Sequence, residues 1–288
     1  MKTKPYVVSA DIYLLLTKWA KEKNFILPGK EFFDKLRKEF SVYMLKIFSS
    51  FEFVSEEEIS KHMQGVTQES GLTCVTLDQV YYPSIYGIDL TRKVDLMGED
   101  KGVYRRFGSP SFLKQLNDLK MKEIKQICLV DDVIFSGVLI ERLVRVLSGF
   151  GITVPMVCAG IGIAEGINRI SKEKKIKIDC AKIYDDVVDE VCERDFYLGV
   201  PYSGRSVIGD ENMSLPYFLP YGKPGEWASI PPSFEIEFSK FCINQTISLF
   251  EEIEKVSNRK VCCSEIDRKI PTQPKYGSYI NFLKSLTF

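Results

Sequence analysis

Hydrophobic residues in the first seventy positions recur at helical spacing. Ile12, Leu15, Leu16 and Trp19 predict a helix over Asp11–Lys23 with Asp11 as its N-cap. Pro28-Gly29 interrupts the pattern, and Phe33, Leu36, Phe40, Tyr43, Met44 and Ile47 predict a longer amphipathic helix over Lys30–Phe48. A third helix starts at Ser55, where Ser-Glu-Glu-Glu has the form of a capping box with Glu58 at its third position. No residue set here suggests chemistry, so the region reads as a packing or partner-binding layer.

From about residue 72 the period changes. LTCVTLDQVYY alternates like a strand, and SPSFLKQLNDLKMKEI reads as a helix. QICLVDD follows, an apolar strand ending in two acids, and after VIFSG comes the helix VLIERLVRVL. Leu139, Ile140, Leu143, Val144 and Leu147 form one apolar stripe on that helix. ITVPMVCAG predicts another strand, AEGINRISKE a short helix and KIKIDCAKIYDD a further strand. Strands alternating with helices at this spacing imply an α/β fold with a mostly parallel sheet and crossover helices. Beyond Glu190 the chain is rich in Gly, Pro and aromatic residues until a final helix near Phe238–Val256. The expected organisation is a helical region over 1–70, an α/β core over 71–190 and an irregular lobe over 191–288.

Composition excludes more than it selects. At 288 residues the chain suffices for one large α/β domain with an appendage, or two small domains. The 39 basic side chains balance 39 acidic ones, which argues against charge-driven grip on nucleic acid or acidic membranes. The single histidine, His62, excludes any site built on two histidine ligands. It lies in a polar helical stretch and reads as a surface residue. The eight cysteines form no CxxC pair, so zinc-ribbon and thioredoxin motifs are absent, and the expectation is a reduced, cytoplasmic protein. No apolar stretch reaches the length of a membrane span and no signal peptide is visible.

The informative segment is Ile127-Cys-Leu-Val-Asp-Asp-Val-Ile-Phe-Ser-Gly-Val-Leu139. Two adjacent carboxylates are costly inside a core, so Asp131 and Asp132 belong at the strand mouth, facing the crevice where open α/β sheets bind ligands. The Phe-Ser-Gly turn then enters a helix whose first amides lack internal partners. Those amides and the helix dipole make an anion site, with Gly137 permitting close backbone approach. Vicinal acids beside a phosphate cradle suit a ribose 5-phosphate. The alternative is an acidic pair that merely caps the next helix.

At these residues the chain resembles the type I phosphoribosyltransferases, whose signature is an apolar strand, two acids, two or three mostly apolar residues, then Thr/Ser-Gly. The resemblance implies that Asp131 and Asp132 hold ribose hydroxyls. It implies that Phe135, Ser136, Gly137, Val138 and Leu139 wrap the 5-phosphate of phosphoribosyl pyrophosphate (PRPP), with Mg²⁺ held through the ligand beside Asp131 and Asp132. Chemistry would occur at the anomeric carbon, with displacement of pyrophosphate. Two positions depart from the pattern: Leu139 stands where a hydroxyl is usual, and Phe135 where some members carry an acid.

Cations for the pyrophosphate are expected from Arg92-Lys93 or Arg105-Arg106, in the loop-rich stretch before the acidic strand. Later, CERDFYLGVPYSGR resembles, more loosely, the accessory region of phosphoribosyltransferase-like proteins from bacterial conflict and defence operons. Glu193, Arg194, Asp195 and Arg205 are then candidate acceptor contacts, or else structural ion pairs; Cys192 is a candidate nucleophile without a histidine neighbour. Cys-Ala-Gly-Ile-Gly-Ile-Ala-Glu-Gly166 mimics a dinucleotide fingerprint with the wrong spacing and reads as close helix–sheet packing. Three functions compete: a Mg²⁺-dependent enzyme, a catalytically degenerate PRPP or nucleotide sensor, and a partner-binding protein in a defence complex.

Overall fold

The computed structural model describes residues 3–173 and 176–286. In chain order these form β1 (Tyr6–Ser9), α1 (Ile12–Lys23), α2 (Lys30–Met44), β2 (Phe51–Val54), α3 (Glu56–Ser70) and β3 (Thr73–Thr76). Next come β4 (Leu90–Val94), β5 (Asp100–Arg105), α4 (Phe112–Met121), β6 (Gln126–Ile134), α5 (Val138–Gly149), β7 (Thr153–Ile163), α6 (Ala164–Glu173) and β8 (Lys177–Tyr184). The last part holds β9 (Asp189–Cys192), β10 (Arg205–Val207), β11 (Asp210–Leu215), α7 (Pro224–Ala228), α8 (Glu235–Ser257) and α9 (Tyr279–Lys284). The expected strand KIKIDCAKIYDD starts at Lys175, which lies outside the described residues.

The chain divides into two compact units, and both are discontinuous: residues 1–53, 92–103 and 188–288 form one, 54–91 and 104–187 the other. The units therefore cut across the three consecutive blocks expected from sequence. The reason is tertiary pairing. Tyr6–Ser9 pairs in parallel with Asp189–Cys192, which draws both ends of the chain into the first unit.

In the second unit a four-stranded sheet runs in the order β3-β6-β7-β8, with each neighbouring pair parallel. The apolar runs of β6 and β7 are buried, as parallel strands covered on both faces must be. Val75, Leu129 and Val157 of the sheet share one core with Leu116 and Leu119 of α4, Leu143 and Leu147 of α5 and Ile170 of α6. Fully burying each such aliphatic side chain contributes about 1.5–3 kcal/mol. Cys74, Cys128 and Cys158 occupy the alternate positions of β3, β6 and β7, which α3 covers. Ser55 Oγ accepts the amide of Glu58 at 3.2 Å, so the predicted cap of α3 forms. His62 of α3 is partly buried rather than free on the surface: its Nε2 lies 3.0 Å from Asp179 of β8.

The first unit is held by aromatic packing and buried charge. Phe40 lies 5.1 Å from Phe196 and Tyr43 stacks on Phe241 at 4.2 Å, ring centre to ring centre. Where α1 begins, Asp11 occupies the N-cap position without capping the helix through its side chain. Its carboxylate instead receives the Arg194 guanidinium at 2.7 Å and the Arg194 amide at 2.9 Å. Glu193 supplies the missing acceptor for α1, taking the amides of Asp11 and Ile12. Arg37 closes the network, its Nε and one terminal nitrogen each 2.9 Å from a Glu193 oxygen. Among the described residues no helix is long and apolar enough to cross a membrane.

Removing one partner of a buried pair strands the other charge, at a cost of about 3–5 kcal/mol. Arg37→Ala is therefore expected to lower unfolding stability by about that amount in urea denaturation, whereas Arg37→Lys, which keeps the charge but loses the two-point geometry, costs less.

Candidate functional site

The acidic pair lies where one side of β6 loses its neighbour. β3 follows β6 only from Thr73, opposite Ile127, to Thr76, opposite Val130. The ladder ends with Leu77 donating to the Val130 carbonyl at 2.8 Å. β7 continues beside β6 as far as Ile134, opposite Gly162. Asp131 and Asp132 thus stand inside β6 rather than closing it, yet beyond the end of the edge strand. The sequence reading placed them at the strand's last residues; the further pairing of Val133 and Ile134 with β7 corrects this.

Asp131 is only 9% exposed. Its Oδ1 accepts the amide of Asp132 at 3.1 Å, and Asp132 Oδ1 in turn accepts the amide of Val133 at 2.8 Å. Burial, then the neighbouring Asp132 and Asp78 carboxylates, push the Asp131 pKa well above the ordinary carboxylate range. At the end of β3, opposite Val130, the Thr76 hydroxyl is buried without a hydrogen-bond partner.

Three residues separate β6 from α5. Gly137 is the N-cap of α5, left-handed at φ +73°, and no side chain caps the helix. The first amides of α5 therefore keep their unsatisfied donors and the positive end of the dipole. The turn is set by interlocked backbone. A Cβ on Gly137 would lie 2.7 Å from the Gly166 carbonyl oxygen, and a Cβ on Gly166 would lie 2.3 Å from that of Phe135. The group packed against the turn is the start of α6, not the Phe135 ring, which is 44% exposed. Ser136 and Val138 are partly buried. Leu139 is exposed rather than part of the buried stripe, which Ile140, Leu143, Val144 and Leu147 complete without it.

The glycine run before α6 has the packing role expected of it. Gly160 and Gly162 lie within β7, and β7 passes directly into α6 with no intervening loop. A Cβ on Gly160 would meet Ile59 of α3 at 2.8 Å, and one on Gly162 would meet Cys180 Sγ at 2.7 Å.

Sequence reasoning missed Asp78. It follows β3 as Asp131 follows the apolar part of β6, so adjacent parallel strands deliver both acids to the same end of the sheet. Asp78 is buried, accepts the amide of Val80 at 2.8 Å, and has its other oxygen 4.0 Å from Arg106. The signal was the acid directly after TCVTL, hidden because which strands are neighbours is not visible in one sequence. Arg105 ends β5 and donates to the Ser109 carbonyl at 2.8 Å.

The other candidates belong to the first unit. Arg92 and Lys93 lie in β4, a strand rather than the expected loop. Glu193 and Arg194 are engaged in the buried network with Arg37 and Asp11. Asp195 accepts the amide of Gly204 at 2.7 Å, and burial pushes its pKa up to about 6. Arg205 lies over the Trp227 ring at 4.4 Å and the Tyr217 ring at 5.4 Å. Cys192 is buried. Asp131, Asp132, residues 135–139, Arg106 and Asp78 are thus grouped in the second unit, and Arg92, Glu193, Asp195 and Arg205 in the first.

No family model matches the chain. No curated protein matches it. Among solved structures, the chain is similar to an orotate phosphoribosyltransferase from Aeropyrum pernix at 11% identity and a TM-score of 0.25, over 44% of this chain and 68% of that one. It is also similar to an adenine phosphoribosyltransferase from Rhodothermus marinus at 12% identity and a TM-score of 0.28, over 44% of this chain and 77% of that one.

Two expectations test this geometry. Gly137→Ala places a side chain in a left-handed conformation and against the Gly166 carbonyl, and is expected to cost about 2 kcal/mol or more in urea denaturation. Asp131→Asn removes a buried carboxylate. Because the folded-state pKa of Asp131 is raised, folded protein binds the extra proton, and the wild type loses stability as pH climbs from about 4 towards that raised value. Asp131→Asn should therefore melt higher than wild type at pH 7.5, with the gap closing by pH 4.

Proposed function

We propose that the second unit binds PRPP or a nucleotide 5′-phosphate at the β6–α5 turn and acts at the anomeric carbon of its ribose. The observation that carries this reading is one arrangement. Two carboxylates lie beyond the end of the edge strand, with only residues 133–137 between them and a helix start that no side chain caps. In this reading the amides from Gly137 to Leu139 receive the 5-phosphate, and Asp131 and Asp132 accept the 2- and 3-hydroxyls. The buried Thr76 hydroxyl, lacking a protein partner, adds a donor at the same end of the sheet.

Among the described residues no three histidine, cysteine or carboxylate side chains converge on a metal position. The two carboxylates of Asp131 and Asp132 are a donor set that fits Mg²⁺, which commonly takes one or two carboxylates and completes its shell with water and ligand oxygens. Asp131 and Asp132 would hold it, and when bound it would neutralise charge on the departing pyrophosphate. The chain's own residues bind and orient. The helix start fixes the phosphate, the acids fix the ring, and Arg106, the cation beside Asp78, faces the charge leaving the sugar.

A second reading, a sensor that binds the same ligand without turnover, is favoured by Leu139. It leaves an exposed apolar side chain where a hydroxyl would add a phosphate contact. The looser resemblance to defence-operon proteins extends either reading to a setting with a protein partner.

Calorimetric titration with PRPP, ribose 5-phosphate and nucleoside 5′-monophosphates in Mg²⁺ tests the proposal. Binding is expected for wild type and is expected to weaken about ten- to hundredfold for each acid replaced in Asp131→Asn/Asp132→Asn, the loss of about 1.5–3 kcal/mol per charge-assisted contact. Pyrophosphate release from PRPP with a panel of purine and pyrimidine bases then separates enzyme from sensor. Absence of binding by every member of the series, or equal binding by the double variant, overturns both readings.

A further inference from the structure

Cys74 and Cys128 are directly opposite one another in the parallel ladder between β3 and β6. Neighbouring strands lie about 4.7–4.9 Å apart, within the Cα separation of about 4.4–6.8 Å that a disulfide spans. Facing residues of a parallel pair hold their side chains roughly side by side, so closing the last fraction of an ångström requires one strand to give. β3 can give: it is the edge strand and only four residues long.

The two thiols are unequal. Cys128 is fully buried, whereas Cys74 is partly accessible. Cys74 Sγ donates to the Leu72 carbonyl at 3.7 Å, while the neighbouring Cys128, Tyr82 and Thr67 side chains push its pKa down to about 6 against the cost of burial. Cys128, opposite Cys74 and buried, is held up as a thiol. Cys158 and Cys180 are pushed up to about 12 by burial, so neither competes as a nucleophile.

We propose that Cys74 is an oxidant-reactive thiol and that Cys128 resolves it as a disulfide. The oxidant is hydrogen peroxide. The Cys74 thiolate attacks one peroxide oxygen, the O–O bond breaks, and the departing oxygen leaves as water after taking up a proton. Cys74 becomes a sulfenic acid. The Cys128 sulfur then attacks the Cys74 sulfur, the S–O bond breaks, and the hydroxyl leaves with the Cys128 proton as a second water. Two thiols are oxidised by two electrons and one peroxide is reduced. A disulfide strained by the parallel register is easily reduced, which makes the step reversible by ordinary dithiols. The link pins β3 to β6 two residues before Thr76 and Val130, where the ladder approaches its end.

The test is peptide mapping of the full-length reduced protein after brief hydrogen peroxide treatment at neutral pH, without reductant. A cross-linked pair of peptides containing Cys74 and Cys128 is expected, lost on adding dithiothreitol. In Cys128→Ser, a dimedone-labelled sulfenic acid at Cys74 is expected instead. Alkylation of wild-type Cys74 by iodoacetamide should show a pH midpoint near 6. A midpoint near the ordinary thiol value of about 8.5, or maps in which Cys74 stays unmodified while other cysteines oxidise, overturns the proposal. The wild-type mapping and alkylation decide the matter whether or not Cys128→Ser folds.

Discussion

The second unit turns on a contact between two glycines. Gly137 and Gly166 bring the β6–α5 turn and the first turn of α6 so close that neither position has room for a methyl group. That contact fixes the left-handed N-cap of α5, and the N-cap fixes where the unsatisfied amides point. A looser turn would let a neighbouring side chain cap the helix, and its capacity to receive an anion would vanish. Gly160 extends the same logic along β7, where a Cβ would fall 2.8 Å from the Asp132 carbonyl oxygen. Small residues on β7 and α6 therefore hold the acidic part of β6 and the turn in register.

The acids are where the fold bears a cost. Asp131 is buried beside Asp132 and Asp78, and like charges in poor contact with water oppose one another's ionisation. Desolvation outweighs the single backbone hydrogen bond that Asp131 receives, hence the direction of its shift. The first unit treats buried charge differently. There Asp11, Glu193, Arg194 and Arg37 satisfy one another, and the carboxylate of Glu193 takes over the capping of α1. That cluster of the first unit neutralises its charges internally; the second unit leaves carboxylates crowded at a sheet end, an arrangement a cationic or hydroxyl-bearing ligand would relieve.

The strand–turn–helix was legible because its signals are local. An apolar run, two acids, a Ser-Gly turn and a stripe at helical spacing follow one another without interruption from Ile127 to Leu147. The predicted helices of the first third also form, with α2 ending at Met44 rather than Phe48. The first unit was hidden for a physical reason. β1, β2 and β9 are four residues each, too short for alternation to register, and their pairing is long-range. Asp11 and Arg194, 183 positions apart, carry no sequence mark of partnership. For the same reason Glu193 and Arg194 read equally well as ligand contacts or structural pairs, and only the fold shows them bound to Asp11 and Arg37. β5 resembles loop because its residues are exposed and several are charged.

The central claim is that the amides opening α5 receive a phosphate. Titrating isotopically labelled protein with ribose 5-phosphate and following backbone amide resonances tests it directly. The account predicts saturable downfield movement of the Gly137, Val138 and Leu139 amides, with the resonances of Asp131 and Asp132 following. Those amides remaining fixed through the titration, or moving less than amides at the starts of other helices, would contradict it.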